Sequence, residues 1–188
     1  MDVEPENLQI LSYPHPALRR KARVVDSITD EVRAVADRMV DLMRAAEGIG
    51  LAAPQVGLDW RLFVAEIPEG EERSADVSPA TATRSPTVYV NPRIVAFEGD
   101  LEPHDEGCLS LPDISGEVRR PPIVTMEAMT LDGGTIRLTA GELLARCWQH
   151  EIDHLDGVLI IDKFTPRSRM KNRSLVKELE RNASANAR

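Results

Sequence analysis

The stretch that decides the architecture is Gln149-His150-Glu151-Ile152-Asp153-His154-Leu155-Asp156-Gly157, near the C-terminus. On an α-helix, side chains four apart lie one turn above each other, so His150 and His154 can grip one metal ion. Glu151 projects beside them, where a carboxylate can take a proton from a water that the ion has acidified. Upstream, Leu143, Leu144 and Cys147 fall on the side that carries His150, Glu151 and His154. The motif is thus continuous with an apolar face and points into the protein. Thr139, with Glu142 three residues later, reads as a capping box opening this helix, and Gly157 as its stop. Cys147, three residues before His150, is assigned to packing.

Working outward, a short apolar run at 158–161 follows the motif, then a weakly apolar helix candidate at 168–181 with Leu175, Val176 and Leu179. Arg167 to Arg181 holds six basic and two acidic residues, a local charge of +4 on a chain of net −8, leaving −12 on the remainder. Before the motif helix, Val124, Met126 and Ala128, then Ile136 and Leu138, flank Asp132-Gly133-Gly134, a hairpin signal. Residues 28–47 form an amphipathic helix pattern, with Ile28, Val32, Val35, Met39, Leu42, Met43 and Ala46 at helical spacing. Thr29 or Asp30 can cap it and Gly48 supplies the stop. Short β-like runs come at 62–65 and 87–90. Between them, Pro68 to Pro86 is rich in Glu, Ser, Thr, Ala and Pro and reads as a mobile surface loop.

At 188 residues the chain is long enough for one domain with a real core, and no internal repeat divides it. A hydrophobic fraction of 42% with only 4% aromatics makes that core mostly aliphatic. The net charge of −8 argues against wholesale binding to nucleic acid or an anionic membrane. No apolar run approaches the roughly 20 residues that cross a bilayer. The acidic N-terminus (Met1-Asp2-Val3-Glu4-Pro5-Glu6) lacks the apolar stretch of a signal peptide, so a cytoplasmic location is expected. Cys108 and Cys147 are accordingly read as reduced thiols.

Two imidazoles make an incomplete site, because catalytic metals usually take three protein ligands and keep one position open. Cys108, in Glu106-Gly107-Cys108-Leu109-Ser110-Leu111-Pro112, is the best third ligand, although alone it also reads as a small buried hydrophobe. Gly107 would let the backbone approach closely, and Pro112 would end the extended stretch. His15 and His104 sit in polar or Pro-flanked contexts that read as surface. In the turn Gly48-Ile49-Gly50-Leu51-Ala52-Ala53-Pro54-Gln55-Val56-Gly57, missing side chains expose backbone to a substrate, and Gln55 can donate a hydrogen bond.

Taken together, GIGLAAPQVG (48–57), EGCLSLP (106–112) and QHEIDHLDG (149–157) resemble, in order and spacing, the three signature motifs of peptide deformylase. YPHPALRRKA (13–22) and GVLIID (157–162) look similar too. The resemblance implies an α+β fold of short, mainly antiparallel strands around a central metal-binding helix, with the first helix packed outside. It implies a single catalytic domain over 1–188, of which 167–188 is a basic C-terminal helix or tail. The implied activity is hydrolytic removal of the formyl group from N-formylmethionine on newly made polypeptides. Carried over by position, Cys108, His150 and His154 would bind one divalent metal ion, Fe(II) in the family, with Zn, Ni or Co able to replace it. Glu151 would be general base and acid. The Gln55 side chain and Leu109 N–H would hold the developing oxyanion. Backbone at Gly48, Ile49, Gly50, Glu106 and Gly107 would bind the formylated peptide as an added strand. A ribosome contact through the basic helix fits that role, with no membrane partner and no sequence-specific nucleic acid.

Two departures stand out. Ser115-Gly116 occupies the place where many family members have Arg-Gly, with Arg119 and Arg120 a few residues on. Trp148 replaces a smaller aliphatic residue, as pocket wall or as packing. Of the rival readings, a zincin-type peptidase would need a downstream Glu or His as third ligand; no histidine follows His154, and Glu178 and Glu180 lie in the basic helix candidate. A non-catalytic peptide binder would need neither Glu151 nor Gln55.

Overall fold

The computed structural model describes residues 3–186; the first two residues of the acidic N-terminus and positions 187 and 188 of the basic tail lie outside the described residues. Helix α1 spans Asp30–Ala45, and Thr29 Oγ1 caps it by accepting the Val32 N–H. Its end differs from expectation. The left-handed residue is Glu47, at φ 55°, and not Gly48. Gly48 meets another need, since a Cβ there would sit 2.7 Å from Leu109 Cδ1.

The strands are β1 (Gly50–Ala52), β2 (Leu62–Ala65), β3 (Thr87–Glu98), β4 (Glu102–Cys108), β5 (Leu111–Arg120), β6 (Ile123–Met129) and β7 (Thr135–Gly141). Helices α2 (Glu142–Leu155), α3 (Ile160–Lys163, one turn) and α4 (Pro166–Asn186) complete the order. Strands β1, β2, β3, β6 and β7 form one antiparallel sheet in that sequence, and β4 with β5 form a separate antiparallel hairpin.

Why β2 is apolar at every position follows from its place between two helices. Side chains alternate across a strand. Leu62 and Val64 pack with Val32, Val35, Met39 and Met43 of α1. Phe63 and Ala65 face the other way, into a cluster with Leu144, Trp148 and Ile152 of α2. Burying each of Leu62, Phe63 and Val64 contributes about 1.5–3 kcal/mol. A third cluster joins Leu111, Ile114 and Val118 of β5 to Leu159, Ile160 and Phe164, fixing the hairpin to the chain beyond α2. The expected α+β plan, with antiparallel strands around a buried central helix and α1 outside, is what the molecule has.

Four local expectations are corrected. Thr139 does not cap α2: it lies in β7 with its hydroxyl 2.9 Å from that of Thr125, and the strand runs directly into a helix whose N-cap is Gly141. Gly157 does end α2 in a left-handed conformation, φ 74°. Pro112 does not end an extended stretch but lies inside β5. Gly107 pairs with Ser115 and Cys108 with Leu111, so 112–114 bulge out where no ladder bond needs the N–H that proline lacks. A Cβ on Gly107 would meet nothing within 4 Å, so no close approach explains that glycine. The 68–86 stretch is exposed only in part. Thr83 N–H donates to Ile67 O (2.9 Å), Gly141 N–H donates to Ala80 O (2.8 Å), and Ala82 is buried.

Helix α4 is held more by polar contacts than by its few apolar residues. Ser168 Oγ accepts the Glu117 N–H (2.9 Å) and Asn172 Nδ2 donates to Ser115 O (2.8 Å). Ser168, Asn172, Val176 and Leu179 recur at helical spacing on the docked side, which leaves Arg167, Arg169, Lys171, Arg173, Lys177 and Arg181 exposed. Among the described residues, no helix is long and apolar enough to cross a membrane.

Candidate metal centre and its cleft

Helix α2 delivers His150 and His154 from one face, with ring centroids 4.9 Å apart. Cys108 closes β4 at the register shift, which brings its Sγ to 3.2 Å from His154 Nε2. One ligand atom each from Cys108, His150 and His154 lies within 4.8 Å of the other two. A tetrahedral ion with bonds of about 2.0–2.3 Å needs ligands roughly 3.3–3.7 Å apart. The Cys108–His154 pair, at 3.2 Å, is close to that spacing, and the trio as a whole, spread over up to 4.8 Å, would draw in slightly around an ion. A thiolate and two imidazoles suit a divalent transition ion and not Mg or Ca. His150 Nδ1 is 3.2 Å from Glu106 Oε2, which leaves its Nε2 for the ion.

Glu151 is 3% exposed, and its Oε2 is buried without a hydrogen-bond partner. Burial pushes this carboxyl up to about 7, against the pull of His150 and Arg120. The two imidazoles diverge. Burial opposes charge on His150, but Cys108 and Glu106 overcome it and hold its pKa well above the ordinary value. Burial, then the neighbouring His150, holds His154 well below. Gln55, 1% exposed, is fixed at both ends of its amide: Oε1 accepts the Ala52 N–H (2.8 Å) while Nε2 reaches Ser110 Oγ (3.2 Å) and Cys108 Sγ (3.7 Å).

These groups form the floor of a cleft of about 710 Å³. The segment Glu47–Gly50 contributes one part of its wall and the β4–β5 hairpin another, including Glu106, Gly107 and Leu109. Gly50 has no room for a side chain. An added Cβ would lie against the Glu151 carboxylate and 2.9 Å from Cys147 Sγ. Every residue expected at the site is therefore gathered in or beside this cleft, except that His154 lies just beneath it. His15 is elsewhere, with Nδ1 accepting the Ala17 N–H, and His104 stands exposed at the rim.

Sequence reasoning missed the charges behind the cluster. Arg120, with 3% of its side chain exposed, donates to Glu106 through Nε (2.6 Å) and Nη2 (2.8 Å) and to Asp153 through Nη1 (2.8 Å). Arg146 adds a contact to Glu106 (2.8 Å), and Lys163 one to Asp153 (2.8 Å). Burial would raise the Glu106 carboxyl, but Arg120 and His150 hold it well below the usual carboxylate range. Arg120 thus supports Glu106, which supports His150. Neither Arg119 nor Arg120 lines the cleft, so neither replaces the arginine missing at Ser115. Trp148 does not line it either. It packs edge-on against Tyr89, with centroids 5.4 Å apart, in the core between α2 and the sheet.

A Cys-His-His trio that could hold one metal ion, with an unpartnered buried carboxylate beside it in the cleft, is the arrangement of a hydrolase that works with one metal ion. The family model described as "Polypeptide deformylase" matches residues 7–170. The chain is 42% identical to a peptide deformylase of Desulforudis audaxviator, over 84% of this chain and 93% of that one. It is 38% identical to one of Agrobacterium fabrum, covering 98% and 99%. It superposes on a plant peptide deformylase structure with a TM-score of 0.87 at 36% identity, covering 99% of this chain and 95% of that one. The chain belongs to the polypeptide deformylase family. It is an enzyme that removes the formyl group from N-formylmethionine at the start of newly made polypeptides, and the reaction uses one metal ion. Membership of that family sets aside the zincin reading. Glu180 is engaged elsewhere, accepting the Tyr13 hydroxyl (2.8 Å).

Proposed function

We propose that Cys108, His150 and His154 are the metal ligands and that Glu151 carries the proton in the deformylation step. The observation that supports this most directly is the unpartnered Glu151 Oε2, buried beside the trio and lining the cleft. When bound, a divalent ion supplies a Lewis acid that polarises a carbonyl and acidifies water. Glu151 accepts the proton of the water that attacks the formyl carbon. It returns that proton to the amine nitrogen as the C–N bond breaks, so formate and a free amino terminus leave. Burial raises this carboxyl, which favours its holding the proton between the two steps. Gln55 Nε2 and the Leu109 N–H stabilise the oxyanion, each such donor being worth about 10²–10³ in rate. Gly48, Ile49 and Gly50, at the free edge of β1, with Glu106 and Gly107 opposite, hold the peptide as an added strand.

The soft thiolate favours Fe(II) as the native ion, with Zn, Ni or Co as substitutes. The whole chain, 1–188, acts as one catalytic unit in the cytoplasm. The exposed cations of α4 offer a contact for ribosomal RNA, which would place the cleft near emerging chains. A formate-release assay on formyl-Met-Ala-Ser with anaerobically loaded Fe(II) or Ni(II) protein tests the assignment. Turnover is expected for the native chain and a loss of at least 10³-fold in Glu151→Gln; a Glu151→Gln protein that still turns over at the native rate overturns it.

A further inference from the structure

The rim of the cleft carries a chemistry that the bond-breaking step does not use. Five carboxylates line the cleft. Glu106 is bound by Arg120 and Arg146, and Glu151 is buried at the floor. The other three, Glu47, Asp105 and Asp113, are exposed, and none has an ion-pair partner within 4 Å among the described residues. The only guanidinium on the lining is Arg146. It is occupied by Glu106 (2.8 Å), Val118 O (3.2 Å) and Glu102 O (3.0 Å). Ser115, exposed on the same lining, brings no charge.

The unpartnered Glu151 Oε2 marks the floor as the place for the formyl end. A peptide extending from there passes the rim, with Glu47 from the segment before β1 and Asp105 and Asp113 from the hairpin. Like charges gathered in a concave, low-dielectric setting focus their potential on whatever enters. We infer that the rim carboxylates select substrate: formylated peptides with lysine or arginine at the second and third positions bind in preference to neutral ones, and acidic ones bind worst. The inference rests on the deformylase reading of the cleft and adds a substrate class to it. Exposed pairs are individually weak and screened by salt, so the preference is modest and fades as ionic strength rises.

The test compares formyl-Met-Lys-Lys-Ala, formyl-Met-Ala-Ala-Ala and formyl-Met-Glu-Glu-Ala as amides, assayed by formate release at about 20 mM and about 500 mM salt, on either side of the screening range. At low salt the dibasic peptide should show a KM roughly three- to tenfold below the neutral one, with the acidic peptide above it and kcat nearly constant. At high salt the three should converge. Asp105→Asn/Asp113→Asn should flatten the low-salt order; asparagine tolerates the left-handed backbone of Asp113 (φ 62°), so the fold is kept. Asp37→Asn/Glu98→Gln, which removes the same charge away from the cleft, should leave the order intact and so separates the rim from the overall acidity. Equal KM values at low salt in the native chain would overturn the inference, as would a preference that survives the rim double variant or disappears in the remote one. Turnover of the neutral peptide reports separately on the deformylase reading, since that reading requires it whatever the order of the three.

Discussion

Replacing Arg120 by leucine is the sharpest probe of the support behind the cluster. The guanidinium has 3% of its side chain exposed and makes three contacts of 2.6–2.8 Å to two carboxylates. Removing one partner of a buried ion pair typically costs about 3–5 kcal/mol, because the remaining charge is stranded. Here Glu106 keeps Arg146 and Asp153 keeps Lys163, so the lower end, about 3 kcal/mol, applies. For a chain of this size that lowers Tm by roughly 6–12 °C. A second effect follows from geometry. Glu106 orients His150 through a 3.2 Å contact, and losing such support typically weakens metal binding about 10–100-fold. Thermal unfolding of metal-free and loaded protein measures the first effect, and the rate of metal transfer to a chelator measures the second. Arg119→Leu, at an exposed neighbour, should stay within about 0.5 kcal/mol. If Arg120→Leu loses less than about 1 kcal/mol and holds its ion as firmly as the native chain, the charge chain from Arg120 to His150 has been misread.

Other consequences are as direct. The Glu151 carboxyl stands at about 7 when folded, above its unfolded value, so the metal-free protein should lose stability as pH rises from about 4.3 to 7 and level off beyond. Glu151→Gln should abolish that slope, stabilising metal-free protein at pH 8 by up to about 3 kcal/mol while removing activity; urea unfolding at pH 5 and 8 checks it. Glu106 shifts oppositely. Its depressed pKa contributes stability that is fully present above about pH 4.3 and is lost as pH falls through its folded value, so Tm should drop steeply below about pH 4.5, less so in Glu106→Gln. Gly50→Ala places a methyl against the Glu151 carboxylate and Cys147 Sγ; it should cut kcat at least 10²-fold while the far-ultraviolet circular dichroism stays native.

What could be read from sequence divides by the range of the interaction. His150, Glu151 and His154 were legible because helical spacing alone brings them together. Helix α1 and the β6–β7 hairpin were legible from periodicity and from Asp132-Gly133-Gly134. The place of Cys108 beside the histidines is not fixed by any local rule. It meets them only through the β4–β5 hairpin; the sequence offers it as the best third-ligand candidate, and the family resemblance supplies the role. That hairpin itself was hidden, because Glu102-Pro103-His104-Asp105-Glu106-Gly107-Cys108 is largely exposed and shows no apolar alternation. The supporting role of Arg120 was hidden for a related reason: its partners, Glu106 and Asp153, come from β4 and α2. Asp153 gave the faint clue, as an acid within the metal motif that points away from the ligands and needs a cation. Thr139 and Glu142 imitated a capping box, but pairing of β7 with β6 claimed the threonine.

One sulfur and two ring nitrogens closing around a single ion are what the proposed centre requires. X-ray absorption at the metal edge, on protein loaded with one equivalent of Co(II) or Ni(II), observes that shell without relying on activity. One sulfur at about 2.3 Å and two imidazole nitrogens near 2.0–2.1 Å per ion are predicted, with the sulfur lost in Cys108→Ala. A shell of nitrogen and oxygen alone in the native chain would contradict it.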